Sequence, residues 1–377
     1  MLLGEDGARD PHPSACGARR GLIVPDPRAV DVLVLGLGPA GARAAEAAAR
    51  RGLRVLAVER RAEAGRPVQC AELVPASIGA ELPGLASSVR QAIEAMDTFV
   101  EDDAPDHAHP FPGRMIDRLE LDARLVQAAA AAGAVCRLAT AARAIRADGC
   151  VTFADGSRVA PRVLVGADGP RSIAGRAIGR VNRALVETRQ VTVPLLRPHD
   201  ATDIFLSGGI PGGYGWLFPK GAVAHVGAGV DEAHAGRLRA IVDDLHARLS
   251  AEGRVGRERL ALTGGAIPVG GALRPRGLLG ATPVLLAGDA AGLANPVTGA
   301  GIAAAVHSGW LAGEAAAALV AGERRAATAY EEELDAVFGV ALARAARRRR
   351  ELARSAGGKT ALRRGWIAYP EYWKEKP

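Results

Sequence analysis

The segment DVLVLGLGPAGARAAEAAARRGLRVLAVERR, residues 31–61, constrains the fold most strongly. A short apolar run is followed by an Ala-rich run that begins at Pro39 and stops at Gly52, and then by a second apolar run. Buried strands are short apolar runs, and helices commonly begin at proline and end at glycine. The pattern therefore predicts a β-α-β unit with strands at 32–35 and 54–58 and a helix at 39–51.

A glycine fingerprint lies between the first strand and the helix. Gly36 permits a tight turn, Gly38 lets the backbone approach a pyrophosphate, and Gly41 lets helix and strand pack closely. The helix N-terminus supplies donors and a positive dipole. Glu59, at the end of the second strand, is expected to accept hydrogen bonds from ribose hydroxyls. A glycine turn with a purely structural role is the alternative, but strand, helix and acid together favour a dinucleotide site. NAD and FAD both remain open at this point.

Two further Gly-Asp segments follow apolar strands: GADGPRS at 166–172 and LAGDAAGLANPVTGAGI at 286–302. Either one alone is a common turn. Together, and in this order after the fingerprint, they resemble the flavoprotein hydroxylase-like superfamily of FAD enzymes. That resemblance implies that Asp289 binds the ribityl chain and that Asp168 supports the pyrophosphate region. It also implies a helix beginning at 299–302 with its N-terminus aimed at the flavin pyrimidine edge, where its dipole stabilises reduced flavin.

Two other segments, GRPVQCAEL at 65–73 and PGGYGWLFPKGAVAHVGAGV at 211–230, resemble the geranylgeranyl reductase family within that superfamily. The matching elements are Pro-x-x-Cys, Tyr-x-Trp-x-Phe-Pro and Gly-x-Gly. The resemblance covers about residues 31–320 and implies that reduced FAD saturates isoprenoid double bonds by hydride transfer. Leu73 replaces a usual glycine and Ala300 a frequent acid, and these departures concern the substrate more than the cofactor.

The fingerprint and the resemblance together define the expected site. Arg118, in RLELDARL, matches an arginine of the family that would contact the FAD phosphates or ribityl chain, although it could equally be a solvated residue at a helix start. The expected cofactor-binding residues are Gly36, Gly38, Pro39, Ala40, Gly41, Glu59, Arg60, Arg118, Asp168, Gly288, Asp289, Gly299, Ala300, Gly301 and Ile302.

Cys70, Tyr214 and Trp216 are the expected catalytic residues. Cys70 would position the alkene or relay a proton, since an unperturbed thiol, with a pKa of about 8.5, is mostly protonated at neutral pH. The alternative is a small buried core residue. Tyr214 and Trp216 would form the wall of a cavity for an apolar chain, or alternatively belong to the core of a sheet.

The predicted fold class is α/β, with a Rossmann-type FAD-binding domain, an inserted antiparallel-sheet (α+β) substrate domain and a C-terminal helical tail. The predicted division is a disordered leader at 1–30, a discontinuous FAD-binding domain at 31–75, 113–180 and 280–320, a substrate domain at 76–112 and 181–279, and a C-terminal helical region at 321–377.

The net charge and the cysteine content limit which binding partners and metal sites are expected. A net charge of +7 and a pI near 9.7 favour a phosphate-bearing cofactor, an acidic substrate or lipid headgroups. No basic helix interleaved with aromatic residues precedes residue 340, so no nucleic acid is expected. The four cysteines show no metal-ligand spacing, which predicts no metal site and is typical of a reducing cytosol. No apolar stretch reaches about 18 residues, as a membrane-spanning helix would require.

The tail contains Trp366, Tyr369, Tyr372 and Trp373, half of all Trp and Tyr residues, downstream of the arginines at 347–350. Such residues suit a peripheral membrane contact, and the alternative is a terminal helix docked on the protein body. A cytoplasmic protein with membrane association through this tail is therefore one expectation.

The expected partners are an apolar or prenyl-type substrate and an external electron donor. Because no second dinucleotide fingerprint is present, that donor is NAD(P)H bound transiently, a ferredoxin or a reductase. Two alternatives share the FAD motifs: a monooxygenase acting on an aromatic or peptide-borne substrate, and a flavoprotein that passes electrons to a quinone.

Overall fold

The computed structural model describes residues 30–79, 82–354 and 358–374. The predicted leader lies outside these residues, except for Val30, which is buried. In chain order the strands are β1 Val32–Leu35, β2 Val55–Val58, β3 Leu73–Pro75, β4 Val89–Ile93, β5 Ala95–Val100, β6 Asp106–Ala108, β7 Gly113–Ile116, β8 Val135–Arg137, β9 Ala142–Ile145, β10 Val151–Phe153, β11 Arg158–Val159, β12 Val163–Gly166, β13 Leu185–Pro194, β14 Ala201–Leu206, β15 Gly215–Lys220, β16 Val223–Asp231, β17 Ala261–Thr263, β18 Ala266–Pro268, β19 Arg276–Leu279 and β20 Thr282–Leu286.

The helices are described in the same chain order. They are α1 Pro39–Arg50, α2 Leu85–Ser88, α3 Arg118–Ala131, α4 Ile173–Ala177, α5 Leu238–Ala251, α6 Ile302–Val320, α7 Ala326–Leu334, α8 Val340–Arg354, α9 Lys359–Gly365 and α10 Pro370–Trp373. Two 3₁₀ segments, Glu232–Arg237 and Gly288–Ala291, and a π-helical segment, Asp335–Gly339, interrupt them.

The first layer is a six-stranded sheet in the order β19-β20-β12-β1-β2-β8. Its strands are parallel apart from the β19–β20 hairpin. Strands β1, β2 and β12 are buried along their whole length, as expected for a parallel sheet covered on both faces. The predicted β-α-β unit is confirmed, with α1 connecting β1 to β2.

The second layer is an eight-stranded sheet in the order β17-β13-β16-β15-β14-β5-β6, with β18 also pairing with β13. Its pairings are antiparallel except for β5 with β14, which are parallel. The prediction of an antiparallel sheet over 185–230 is therefore right for its hairpins. It misses the parallel pair, because β5 lies far away in sequence. Two three-stranded sheets, β11-β10-β9 and β3-β7-β4, complete the strands.

The α/β fold class and the C-terminal helices are confirmed. The domain division remains a prediction. Strands β5 and β6, from the 76–112 segment, join the sheet formed mainly by the 181–279 segment. The expected boundary at residues 279 and 280 falls within the β19–β20 hairpin.

Helices α1 and α6 pack against each other through small residues. A Cβ placed on Gly309 would lie 2.1 Å from the carbonyl oxygen of Ala40, and one on Gly313 would lie 2.4 Å from that of Ala44. A step of four residues along α6, from Gly309 to Gly313, moves the contact four residues forward along α1, from Ala40 to Ala44. The two helices are therefore parallel, and their N-termini point the same way. From this register, α6 begins about 9 Å before α1 along the shared direction.

The tail is docked on the protein body. Lys359 and Arg363 form ion pairs with Asp103, at N–O distances of 2.5 and 2.9 Å, and Tyr369 donates to Asp106 at 2.6 Å. Trp366 and Tyr372 are 3% and 2% exposed. The membrane-interface interpretation is therefore wrong for these two aromatic residues, which pack in the interior. Trp373 remains 54% exposed.

The α1–α6 contact gives the first prediction. Gly309→Val should lower the free energy of unfolding by about 1–3 kcal/mol, because the added carbons force the helices apart. Urea unfolding measures this change. Gly236→Ala is the control, since nothing lies within 4 Å of a Cβ at that exposed position. Equal stability of the two variants would show that the helices do not depend on this contact.

Candidate functional site

A cavity of about 1170 Å³ lies between the two large sheets. Loops at the carboxyl ends of β1, β2, β12 and β20 form one side of it, which is where ligands bind in open parallel sheets. Of the expected site residues, those lining the cavity are Gly36, Gly38, Pro39, Ala40, Glu59, Arg60, Cys70, Arg118, Asp168, Tyr214, Trp216, Asp289, Gly299, Ala300, Gly301 and Ile302.

The glycines of the fingerprint differ in what surrounds them. Gly36 has a φ of 90° and a Cβ there would lie 2.3 Å from the carbonyl oxygen of Ala167, while one on Gly41 would lie 1.8 Å from that of Gly36. Gly38 lines the cavity with nothing within 4 Å of a Cβ position. Gly41 therefore serves packing behind the wall, and Gly38 leaves open space for a ligand. Gly288 is likewise absent from the wall, and its N–H donates to Ser308.

The expected acidic residues are positioned differently from one another. The Glu59 carboxylate accepts the N–H groups of Leu37 and Arg61, both at 3.1 Å, and so holds two loops that face the cavity. The Asp168 carboxylate accepts from Ser172 and from the Ile173 N–H at 2.7 Å, so it caps the start of α4. Asp168 can thus support a bound pyrophosphate by fixing the turn around it.

Asp289 faces the cavity with a half-buried carboxyl group. Burial raises its pKa to about 6, against the opposing attraction of the Arg118 guanidinium. Arg118 itself binds the Asp122 carboxylate at 3.0 and 2.9 Å. Burial by itself lowers the pKa of the Arg118 guanidinium, because it disfavours the charged form. Interactions with Asp122 and Cys70 outweigh burial, so the pKa of Arg118 is raised. A fixed cation and a carboxyl group that favours a hydrogen-bonding ligand therefore share this wall.

The N-termini of α1 and α6 both open onto the cavity. Gly38 and Gly301 are their N-cap residues, and neither helix has a side-chain cap. First-turn N–H groups lack intrahelical partners, so each terminus offers donors and a positive dipole to an anionic ligand. The offset of about 9 Å between them suits an elongated ligand that contacts both.

Cys70 lies on the cavity wall, half-buried, on a loop held from several sides. The Glu72 N–H donates to its Sγ at 3.2 Å, and the Gln190 side chain donates to its carbonyl oxygen at 3.0 Å. Burial raises the pKa of the Cys70 thiol, against the attraction of Arg118. The side chain is therefore a protonated thiol beside the cavity, which disfavours the interpretation as a core residue.

Aromatic residues form the opposite wall. Tyr214 donates its hydroxyl to the Thr298 carbonyl at 2.6 Å, and its ring meets Trp216 edge-on at 5.7 Å between centroids. Trp366, from the tail, meets the other side of Tyr214 at 4.8 Å and donates to the Met96 sulfur at 3.4 Å. Tyr214 and Trp216 thus belong both to an apolar cluster and to the cavity wall.

Three residues that line the cavity are absent from the predicted site residues: Glu72, Trp366 and Arg349. Glu72 adjoins Cys70 and is 3% exposed. Arg349 lines the cavity from α8, pairs with Asp231 and donates to the Pro296 carbonyl at 3.2 Å. Glu72 lies two residues after Cys70 in the segment GRPVQCAEL, so its closeness in sequence to a predicted site residue could have identified it. Trp366 and Arg349 reach the cavity only through tail docking, which no local pattern encodes.

Comparison with known proteins agrees with this geometry. A family model described as lycopene cyclase protein matches residues 31–192. A digeranylgeranylglycerophospholipid reductase from Methanosarcina mazei is 33% identical over 322 residues, covering 76% of this chain and 74% of the relative. A digeranylgeranylglycerophospholipid reductase 2 from Methanopyrus kandleri is 34% identical over 350 residues, covering 83% and 85%. The chain belongs to the geranylgeranyl reductase family.

Solved structures extend the likeness over most of the chain. A geranylgeranyl bacteriochlorophyll reductase-like protein from Thermoplasma acidophilum shares 25% identity at a TM-score of 0.79, covering 91% of this chain and 92% of that chain. A probable FAD-dependent monooxygenase from Pseudomonas aeruginosa, at 20% identity and a TM-score of 0.66, shares the fold and covers 88% and 98%. This geranylgeranyl reductase-like protein is an FAD-dependent oxidoreductase, and the expected cofactor is confirmed.

The residues present fit FAD. The open space at Gly38 and the two uncapped helix N-termini suit a pyrophosphate and a second electron-rich group. The Asp289 carboxyl, whose pKa is raised by burial against the attraction of Arg118, suits hydroxyl groups of a ribityl chain. The assignment of individual residues to parts of FAD is our proposal.

The second prediction concerns Gly38, where a larger side chain should prevent cofactor binding without disturbing the fold. Gly38→Val should yield a folded, colourless protein, because the side chain enters space that only the cofactor needs. Absorbance at flavin wavelengths measures occupancy, and the melting temperature of the cofactor-free form should match that of the wild type. Gly41→Val is the contrasting variant and should unfold, since its Cβ meets the Gly36 carbonyl. Full flavin content in Gly38→Val would contradict the assignment.

Proposed function

We propose that this reductase saturates carbon–carbon double bonds of an isoprenoid chain. One observation carries the proposal: a single cavity joins the nucleotide-binding loops to an aromatic wall, with the Cys70 thiol on its surface. The curated relatives named digeranylgeranylglycerophospholipid reductase support an isoprenoid lipid as the substrate class.

The proposed chemistry divides between cofactor and protein. Reduced FAD, when bound, supplies the hydride. The aromatic wall binds the apolar chain and orients its double bond, and orientation alone contributes roughly 7–11 kcal/mol to such reactions. The Cys70 thiol would donate the proton to the second alkene carbon, since it is protonated at neutral pH.

Several partners belong to the same proposal. The electron donor would be NAD(P)H, a ferredoxin or a reductase. No helix among the described residues is long and apolar enough to cross a membrane. Trp373, which is exposed and has Arg344 at 5.4 Å from its ring, is the most accessible of the four tail aromatic residues for a peripheral membrane contact, and that contact stays a prediction.

The monooxygenase and quinone-reducing alternatives share the FAD-binding fold. The likeness to the Pseudomonas aeruginosa monooxygenase concerns the fold alone at 20% identity. Oxygen uptake coupled to NAD(P)H oxidation would favour a monooxygenase. Quinone reduction that prenyl substrates do not affect would favour electron transfer. Neither alternative requires a thiol beside the cavity, whereas the proposed alkene reduction uses it as the proton donor.

Cys70→Ser tests the proposed proton donor, as the third prediction. The hydroxyl is a weaker acid than the thiol, so single-turnover reoxidation of the reduced enzyme by a geranylgeranyl substrate should slow by roughly tenfold or more. FAD content and melting temperature should hold, because Cys70 is not a core residue. Cys136→Ser, away from the cavity lining, is the control. A Cys70→Ser variant with lower stability and an unchanged reoxidation rate would show that Cys70 has a structural role and not a catalytic one.

Trp366 tests the apolar wall, as the fourth prediction. Trp366→Leu removes the buried ring that packs edge-on against Tyr214 at 4.8 Å, so it loosens the wall that a prenyl chain would contact, and the KM for a geranylgeranyl substrate should rise roughly threefold to tenfold. Steady-state kinetics measure the change, and flavin absorbance verifies FAD occupancy. Trp373→Leu, at the exposed tail position, should leave KM unchanged in detergent solution. Equal KM values for Trp366→Leu and the wild type would remove Trp366 from the substrate wall.

A further inference from the structure

Glu72 is an ionised side chain in the interior, two residues after Cys70. It is 3% exposed and its backbone has a φ of 65°. Among the described residues only Glu72, Glu101 and Ala139 combine a side chain with a positive φ. Non-glycine residues adopt this conformation at a cost that the surrounding structure must offset. The contacts of Glu72 show what holds it there.

The Glu72 carboxylate accepts hydrogen bonds from three separate elements. One oxygen accepts the Arg118 N–H, at the start of α3, at 2.8 Å. The other accepts from the Lys220 amine of β15 at 2.5 Å and from the His225 ring of β16 at 2.7 Å. Burial raises the pKa of Glu72, but His225, the Arg118 N–H and Lys220 outweigh it and hold the pKa at about 2. Glu72 is therefore an anion across the physiological range.

Hydrogen bonds join the members of the cluster. The His225 ring lies between two of its partners, with its Nε2 2.7 Å from the Glu72 carboxylate and its Nδ1 3.1 Å from the Thr192 hydroxyl. Because every member has a partner and Glu72 does not protonate near neutral pH, the cluster is not suited to carry protons.

Glu72 is also coupled directly to Cys70. Its N–H donates to the Cys70 sulfur at 3.2 Å, and its carbonyl accepts the Ile116 N–H at 2.9 Å. The ionisable groups that act on the thiol are Arg118 from α3, Glu72 from its own loop and Tyr214 across the cavity. Arg118 favours the thiolate, and the Glu72 carboxylate opposes it. Burial contributes most to the raised pKa of the thiol, and the Glu72 charge adds to that rise against the attraction of Arg118.

We propose that Glu72 is a positioning residue for Cys70: its carboxylate ties the Cys70 loop to α3, β15 and β16, and its charge opposes the Arg118 cation beside the thiol. The part concerning proton donation rests on the proposed function. The structural part does not, because the hydrogen bonds place the Cys70 sulfur whichever substrate the cavity binds.

Thiol alkylation tests the proposal without any turnover. The FAD-loaded wild type and Glu72→Gln would be treated with iodoacetamide between pH 6 and pH 10, and modification of Cys70 followed by peptide mass spectrometry. Glutamine keeps the volume but removes the charge. The midpoint of the alkylation profile should fall by about one pH unit, so that Cys70 reacts about tenfold faster at pH 7.

Glu101→Gln is the matched control. Glu101 also has a positive φ, of 53°, and its carboxylate accepts from the Ser207 hydroxyl at 2.8 Å and the Gly208 N–H at 2.7 Å. It does not line the cavity, so its variant should leave the Cys70 profile unchanged. Lys220→Gln is the second test variant. Removing the cation leaves the Glu72 charge unopposed and should move the midpoint upward.

The possible outcomes separate the two proposals. Loss of stability in Glu72→Gln with an unmoved alkylation profile would overturn the inference and leave Glu72 a purely structural residue. If Glu72→Gln does not fold, a midpoint in Lys220→Gln that stays in place or falls overturns it equally. Failure of the wild type to reduce any prenyl alkene would sink the proposed function alone, because the alkylation profile does not depend on that reaction.

Discussion

Close packing of α1 on α6 is the constraint on which the site depends. Gly309 and Gly313 let the backbone of α6 approach the Ala40 and Ala44 carbonyls, and a larger side chain at either glycine would separate the helices. Because the two helices are parallel, both uncapped N-termini open onto the same cavity. A chain rich in Gly and Ala and poor in aromatic residues is suited to this geometry. The few aromatic residues that it has are concentrated on the opposite wall.

The cavity is completed by segments from distant parts of the chain. The Cys70 loop is tied to α3 and to strands β13, β15 and β16 of the eight-stranded sheet through Glu72 and Gln190. The tail adds Trp366 and Arg349. Charge is arranged accordingly: fixed cations and helix termini surround the nucleotide-binding side, while the substrate side is largely apolar and its buried ions are paired. This separation suits a cofactor with phosphates beside a hydrocarbon chain.

Local patterns could be read from the sequence, and long-range pairings could not. The β-α-β unit follows from runs and turns of neighbouring residues. The parallel β5–β14 pair joins segments about a hundred residues apart. The basic tail is visible in the sequence, yet only the structure shows that Lys359 and Arg363 pair with Asp103, in the acidic stretch at 101–106. Glu72 is visible beside Cys70 in the sequence, but its role could not be predicted because its partners, Arg118, Lys220 and His225, lie far away along the chain.

The most direct test concerns what the wild-type enzyme does to an alkene without oxygen. Enzyme reduced anaerobically with dithionite would be mixed with a geranylgeranyl-bearing lipid in D₂O, and the lipid analysed by mass spectrometry. If the cavity serves alkene reduction, each saturated bond gains two deuterium atoms, because dithionite supplies electrons alone and both hydrogen atoms come from groups that exchange with solvent, such as the Cys70 thiol. An unchanged lipid under these conditions, together with oxygen uptake and a hydroxylated product in air, would contradict alkene reduction.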